Sequence, residues 1–235
     1  MIVSQRLFNQ QLVDTRFQQA EEIVAWMGAM QAQEYAMAKW AIGLRLGTTN
    51  DGAIEAAFNA GRILRTHVLR PTWHFVAPKD IRWMLRLTAP RVRQAMAYMD
   101  RQLEVERRLI ARSQRAFTKA LQGGQPRSRT DLQLALTRAK VAASGPRLAH
   151  LLMHAELDGL ICSGPRRERQ FTYMLLDERV PSTKPLQRDV ALAELTRRYF
   201  ESHGPATVQD FSWWSGLSMR DATRGHRDAR RGALE

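Results

Sequence analysis

The sequence predicts a protein that is mainly α with small β-hairpins. Three observations predict it. Apolar residues recur at helical spacing through most of the 235 residues. Two stretches, 63–76 and 159–175, change to short apolar or alternating runs on either side of a break. Each change comes after three or so helices, so one order of elements is read twice along the chain.

Composition bounds the rest. A hydrophobic share of 44% is enough for a sizeable core in one large domain or two to three small ones. Lys and Arg number 36 against 23 Asp and Glu, a net charge of +13 in which arginine dominates. Such a balance points to a polyanionic partner, with nucleic acid first, because arginine offers planar paired donors to phosphate and guanine. The single cysteine, Cys162, lies in an apolar run and excludes a disulfide framework within the monomer. No signal peptide is read in the polar first 20 residues, and no apolar run is long enough to span a membrane, so a soluble cytoplasmic protein is expected.

Residues 4–12 predict a short helix with Leu7, Phe8 and Leu12 inward. Ile23, Val24, Met27 and Met30 mark the second helix. Met37, Trp40, Ile42 and Leu44 mark the third, ending between Gly43 and Gly47. Thr48-Thr49-Asn50-Asp51 is a helix-start cluster for a fourth, with Ile54, Ala57 and Phe58 inward. Residues 63–69 and 72–76 read as paired strands. Pro71 cannot take positive φ, so the tip is longer than a two-residue type I′ turn. Pro78 opens a further helix. From Arg91 to Gln122 the pattern is helical and basic, with a break around 100–104 and Met99 among the inward positions.

The order then repeats. Ser128-Arg129-Thr130-Asp131 caps a helix, Ser144-Gly145-Pro146 breaks it from the next, and 159–162 and 170–175 are strands around a basic tip. Helices followed by a hairpin are the order of a winged helix-turn-helix, and tandem winged helix-turn-helix domains are the predicted architecture. The expected boundaries are 1–100, 101–183 and 184–235. The last region starts a third helix-turn-helix, in which Thr207 caps a short helix with Phe211, Trp213 and Trp214. It lacks a hairpin and is expected to end in a frayed, Arg/Gly-rich tail, as a partial or truncated domain.

Gln31-Ala32-Gln33 sits between two helical patterns. In an extended link, residues two apart point the same way, so the two amides form one neutral hydrogen-bonding pair. The bland alternative is an incidental surface triplet. The stretches Trp26 to Glu34, Ala38 to Ala41, Arg70 to Trp83, Leu157 to Leu160 and Phe211 to Leu217 resemble the AlkZ/AlkX (YcaQ) family of winged-helix DNA glycosylases. The resemblance covers residues 5 to about 222. It implies hydrolysis of the N-glycosidic bond of alkylated purines, chiefly N7-alkylguanine, and unhooking of interstrand crosslinks. It also implies that Gln31 and Gln33, matching the family's Gln-hydrophobic-Gln motif, are the catalytic pair, and that Thr72, Trp73 and His74 lie near the site or on DNA. Arg70-Pro71 departs from the Arg-Gly of many relatives, and the third domain is expected to be incomplete.

The chemistry agrees with a neutral pair. A cationic base is already a good leaving group and needs no general acid. What remains is an oxocarbenium-like sugar and a positioned water, which amide oxygens can serve. Glu34 is next in sequence, but a neighbour in an extended link points away. Arg65, His67 and Arg70 on the first hairpin, and Arg166, Arg167 and Arg169 on the second tip, are the other candidates for DNA contact or a near-site place. The expected partner is double-stranded DNA, bound by a monomer, with no cofactor. His150 and His154 have helical spacing but no third ligand, so no metal is expected and they are read as facing phosphate or packing at a helix edge. Trp213-Trp214 reads as core first and a base-stacking platform second. The rival function is a non-catalytic winged-helix DNA-binding protein or regulator. A degenerate fragment that binds DNA but turns over poorly is a third reading.

Overall fold

A computed structural model describes residues 1–182 and 184–231. The first half runs α1 (Ile2–Asn9), α2 (Ala20–Met27), β1 (Ala29–Gln31), α3 (Tyr35–Gly43), α4 (Asp51–Asn59), β2 (Leu64–His67) and β3 (Trp73–Val76). A long helix α5 (Pro78–Gln102) leads on. The second half runs α6 (Arg107–Leu121), β4 (Arg127–Ser128), α7 (Arg129–Arg138), α8 (Gly145–Leu157), β5 (Ile161–Ser163), β6 (Thr172–Leu175) and the short α9 (Leu176–Arg179). Three helices close the described chain: α10 (Arg188–His203), α11 (Val208–Ser215) and α12 (Met219–Arg231). The protein is mostly helical with small antiparallel sheets, as expected. Among the described residues no helix is long and apolar enough to cross a membrane.

The succession helix, strand, helix, helix, strand, strand occurs twice, and the sheets share one order, β1-β3-β2 and β4-β6-β5. Local chemistry sets the starts. The Asn50 side chain accepts from the Ala53 N–H at 2.8 Å, opening α4. Ser128 and Asp131 form a reciprocal capping box at α7, and Thr207 and Asp210 form another at α11. Pro90 does not stop α5, although it removes one helical hydrogen bond. The flanking Ala89 and Val92 are buried in the central core. The expected break falls after Gln102.

Several sequence readings need correction. Helix α1 buries none of its residues, and Leu7 and Phe8 are exposed. It is held instead by polar contacts, Arg6 Nε donating to Pro205 O at 2.7 Å and Asn9 Nδ2 to Gly204 O at 2.8 Å. In α3 the inward face is Tyr35, Ala38, Lys39 and Ile42, while Met37, Trp40 and Leu44 face out. Lys39 can be buried because its ammonium meets Asp51 and Glu55, both at 2.8 Å. Met99 is exposed too. The tail expected to fray is helical to Arg231, because Ser218 caps α12 and Ala222 packs into the core. There Gly225 lets α12 approach α10: a Cβ on it would stand 2.3 Å from Thr196 Oγ1. Residues 232–235 of that tail lie outside the described residues.

Three clusters form the interior. One fills the α2–α3–α4 bundle, one the second half, and one joins α5 to β2, β3, α8 and the closing helices. The halves are also joined by polar locks. The buried Glu156 carboxylate on α8 accepts a hydrogen bond from His67 on β2. Asp100 at the end of α5 bonds His150 Nδ1 at 2.7 Å and His154 Nε2 at 3.0 Å. The two histidines thus grip one carboxylate, which corrects the reading that they face phosphate. Among the described residues, no group of three or more His, Cys, Asp or Glu could hold a metal ion.

Candidate functional site

The extended link between α2 and α3 is built into a sheet. Gly28 ends α2 at φ 75°, a conformation glycine takes without steric cost, and so turns the chain into β1. Strand β1 pairs with β3, Gln31 opposite His74, and Ala32 N extends the ladder by donating to Trp73 O at 2.7 Å. Exposure alternates: Gln31 and Gln33 are exposed and Ala32 between them is buried. The Gln33 amide oxygen lies 3.5 Å from the Trp73 N–H. Glu34 is also exposed, at the start of α3.

His74 stands opposite both Gln31 and Thr66, so the three side chains form one rank on one sheet face. His74 is 1% exposed, and burial pushes its pKa down to about 4. A neutral ring with Nδ1–H donating to Thr72 O at 2.9 Å leaves Nε2 as an acceptor. Beside it, the hydroxyls of Thr66 and Thr72 are buried without a hydrogen-bond partner, as is Arg70 Nε. Buried polar atoms of this kind are rare, and here they gather around one rank.

His74 also sets a pH response. Its folded pKa is below the unfolded value, so the unfolded chain binds the extra proton as pH falls from about 6.5 toward 4. Stability is therefore full above about pH 6.5 and is lost across that window, by about 3 kcal/mol from this ring alone. His203, pushed down to about 4 by burial, adds in the same direction. Urea unfolding at pH 7 and pH 5 should show the loss, and His74→Asn should flatten the slope. An unchanged slope would remove the ring from this role.

The hairpin tip spans residues 68–72, longer than two residues as expected. Leu69 sits at φ 64°, which is costly for a branched side chain. Its burial and a 3.2 Å hydrogen bond from its N–H to Thr88 Oγ1 hold it there. Gly216 packs against this tip at φ 68°, where a Cβ would lie 2.3 Å from Leu69 O. The closing helices thus brace the strand that faces Gln31. Trp214 is part of that brace, ringed by Tyr199, Phe211 and His203, while Trp213 is 68% exposed. Trp214 therefore fits the core reading, and Trp213 does not.

The remaining candidates fall into two sets. Arg65, His67 and Trp73 turn to the other sheet face. Arg65 and His67 are buried, and Trp73 lies between them, its ring 4.2 Å from the guanidinium and 4.4 Å from the imidazole. Arg166 also turns inward, over the Tyr35 ring at 4.9 Å and the Phe171 ring at 4.8 Å. Its backbone N–H donates to Asn59 Oδ1 at 2.8 Å. Arg167 and Arg169 point to solvent. Sequence reasoning missed Thr66, Phe171, Ser163 and Asn59. Only Thr66 carried a signal, its alternation with Leu64 on the strand.

The family model for AlkZ-like DNA glycosylases matches residues 24–235, and the chain belongs to that family. Among solved structures it is similar to the Streptomyces sahachiroi DNA glycosylase AlkZ, with a TM-score of 0.79 and 21% identity over 96% of this chain. The match covers 64% of that protein, so the chain spans a little under two thirds of its length. No curated protein matches the chain.

Proposed function

We propose that the chain is a monofunctional DNA glycosylase, a hydrolase of the N-glycosidic bond of cationic alkylated purines such as N7-alkylguanine. Unhooking of interstrand crosslinks joined through such bases is part of the proposal. The observation that carries it is the exposed pair Gln31 and Gln33 on an extended strand beside a neutral, buried His74. In this reading water attacks C1′, the C1′–N9 bond breaks, its electron pair neutralises the departing cationic base, and the water proton passes to solvent. The amide oxygens hold the water and face the positive sugar, a modest dipolar stabilisation suited to a substrate that is already labile. No cofactor enters the step. The two six-element repeats are read as winged helices, with boundaries at 1–100 and 101–183 and a third module over 184–235. A monomer on double-stranded DNA in the cytoplasm completes the proposal.

The rival is a non-catalytic regulator, which would read sequence with the third helix of a module. Here α4 carries Asp51 and Glu55 and no Lys or Arg. On α8, Arg147 is paired with Glu104 at 2.8 Å and both histidines are held by Asp100. Neither helix presents the donors that base readout needs, which favours the enzyme.

Charge elsewhere supports a phosphate-tracking surface. Residues 101–150 hold eleven Lys or Arg against three Asp or Glu. Between α6 and α7 a groove of about 510 Å³ is lined by Lys119, Arg127 and Arg138. The deciding experiment is single-turnover release of base from a duplex carrying one N7-methylguanine. DNA bound without base release would leave the regulator or a degenerate fragment. In parallel, replacing Lys119 and Arg138 by Gln should lower the salt slope of DNA binding by about 2, near one per lost phosphate contact. An unchanged slope would place the DNA on another face.

A further inference from the structure

We infer that Arg65 is a positioning residue for the Gln31–Gln33 loop, and that through it the 161–175 hairpin of the second half helps to shape the site. The inference deepens the glycosylase reading and rests on it for its rate measurement.

Arg65 is 6% exposed. No Asp or Glu of the described residues comes within salt-bridge distance of it. Its partners are the loop and two rings. Nε donates to Ala32 O at 2.9 Å and Nη2 to Gln33 O at 3.4 Å. The guanidinium lies 4.2 Å from the Trp73 ring centre and 4.5 Å from that of Phe171. Trp73 belongs to the strand paired with the loop, and Phe171 belongs to the second half. The Arg65 backbone N–H donates to Ser163 Oγ at 2.8 Å, again across the halves. Phe171 also meets Tyr35, the first residue of α3, at 5.0 Å. The loop is thus gripped at two carbonyls and at the helix that follows it.

Burying a guanidinium with no carboxylate in direct contact, only the field of Glu156 beyond His67, is a poor way to gain stability, and burial lowers its pKa here. What the arrangement achieves is orientation. The two peptide planes held by these carbonyls, Ala32–Gln33 and Gln33–Glu34, flank Gln33 and set the direction in which its side chain leaves the strand, two residues from Gln31. A flat cation can lie between two rings and still reach two carbonyls, whereas a lysine ammonium is a point donor that cannot do both.

The test compares Arg65→Lys, Arg65→Met and Phe171→Leu with the native chain. Base release from the N7-methylguanine duplex is measured at saturating enzyme, beside DNA affinity, melting temperature and hydrogen exchange of residues 31–35. Both Arg65 variants should slow release by about 100-fold with DNA affinity retained, the scale of a misplaced reacting group. Exchange in 31–35 should quicken about tenfold. In a further variant, Arg65→Ala, added millimolar guanidinium should restore part of the rate, and methylammonium should not. Phe171→Leu keeps both carbonyl hydrogen bonds and removes one ring face, so it decides the matter if the Arg65 variants do not fold. It should slow release and quicken loop exchange by smaller factors.

Native release from Arg65→Met, or unchanged loop exchange in all variants, would overturn the inference. Should the native chain itself release no base, the glycosylase reading falls. Loop exchange would still decide the role of Arg65.

Discussion

Replacing Gln31 and Gln33 together by alanine lowers single-turnover base release by about 10²–10³, the scale seen when a preorganised polar partner of the transition state is removed. DNA affinity should hold, because both side chains are exposed and neither is tied to the core. The Gln33 amide has one long contact, 3.5 Å to the Trp73 N–H, so its loss should cost little stability. The loss in the double variant should be smaller than the product of the two single-variant losses, since the two amides serve one water and one cation. Gln31→Glu is the sharper probe. A carboxylate there would favour a cationic sugar but repel phosphate, so rate and affinity should move in opposite directions. If the double variant keeps the native rate, the pair is incidental and catalysis lies elsewhere.

The second large effect is on stability. Glu156→Ala should cost about 3 kcal/mol, because it leaves the buried His67 ring without its partner. Glu156→Gln keeps an acceptor and should cost distinctly less. Equilibrium unfolding in urea reads both. The lock joins β2, one strand away from the strand facing Gln31, to α8 of the second half. A loss below about 1 kcal/mol for the alanine variant would mean that the apolar cluster, rather than this hydrogen bond, holds the halves together.

Much of the fold was legible in the chain. Asn50, Ser128 and Thr207 announce helix starts, because a side-chain oxygen satisfies backbone N–H groups three residues away. The hairpins followed from alternation and from Pro71. The extended setting of Gln31-Ala32-Gln33 followed from the failure of helical spacing between Met30 and Met37. These are interactions within a few residues, and a sequence displays them directly.

Faces were harder to read. Met37, Trp40 and Leu44 have helical spacing, yet the bundle takes Tyr35, Ala38 and Ile42 inside, because Tyr35 meets Phe58 and Phe75 there. The basic residues were hardest. Arg65, Arg166, Arg167 and Arg169 look alike in sequence. Two of them turn inward because Phe171, Tyr35 and Trp73 arrive from three separate parts of the chain to cover them. Likewise His150 and His154 meet Asp100, some fifty residues earlier.

The sequence by itself determined the helical content, the repeated order of elements, the excess of positive charge and the extended pair of amides. Each depends on composition or on neighbours close along the chain. Only the tertiary structure decided that β1 joins the first sheet, that His74 stands beside Gln31 with Thr66 on its far side, and that the second half reaches the loop through Arg65. Those outcomes depend on which surfaces exclude water against each other, a choice made by docking of distant segments.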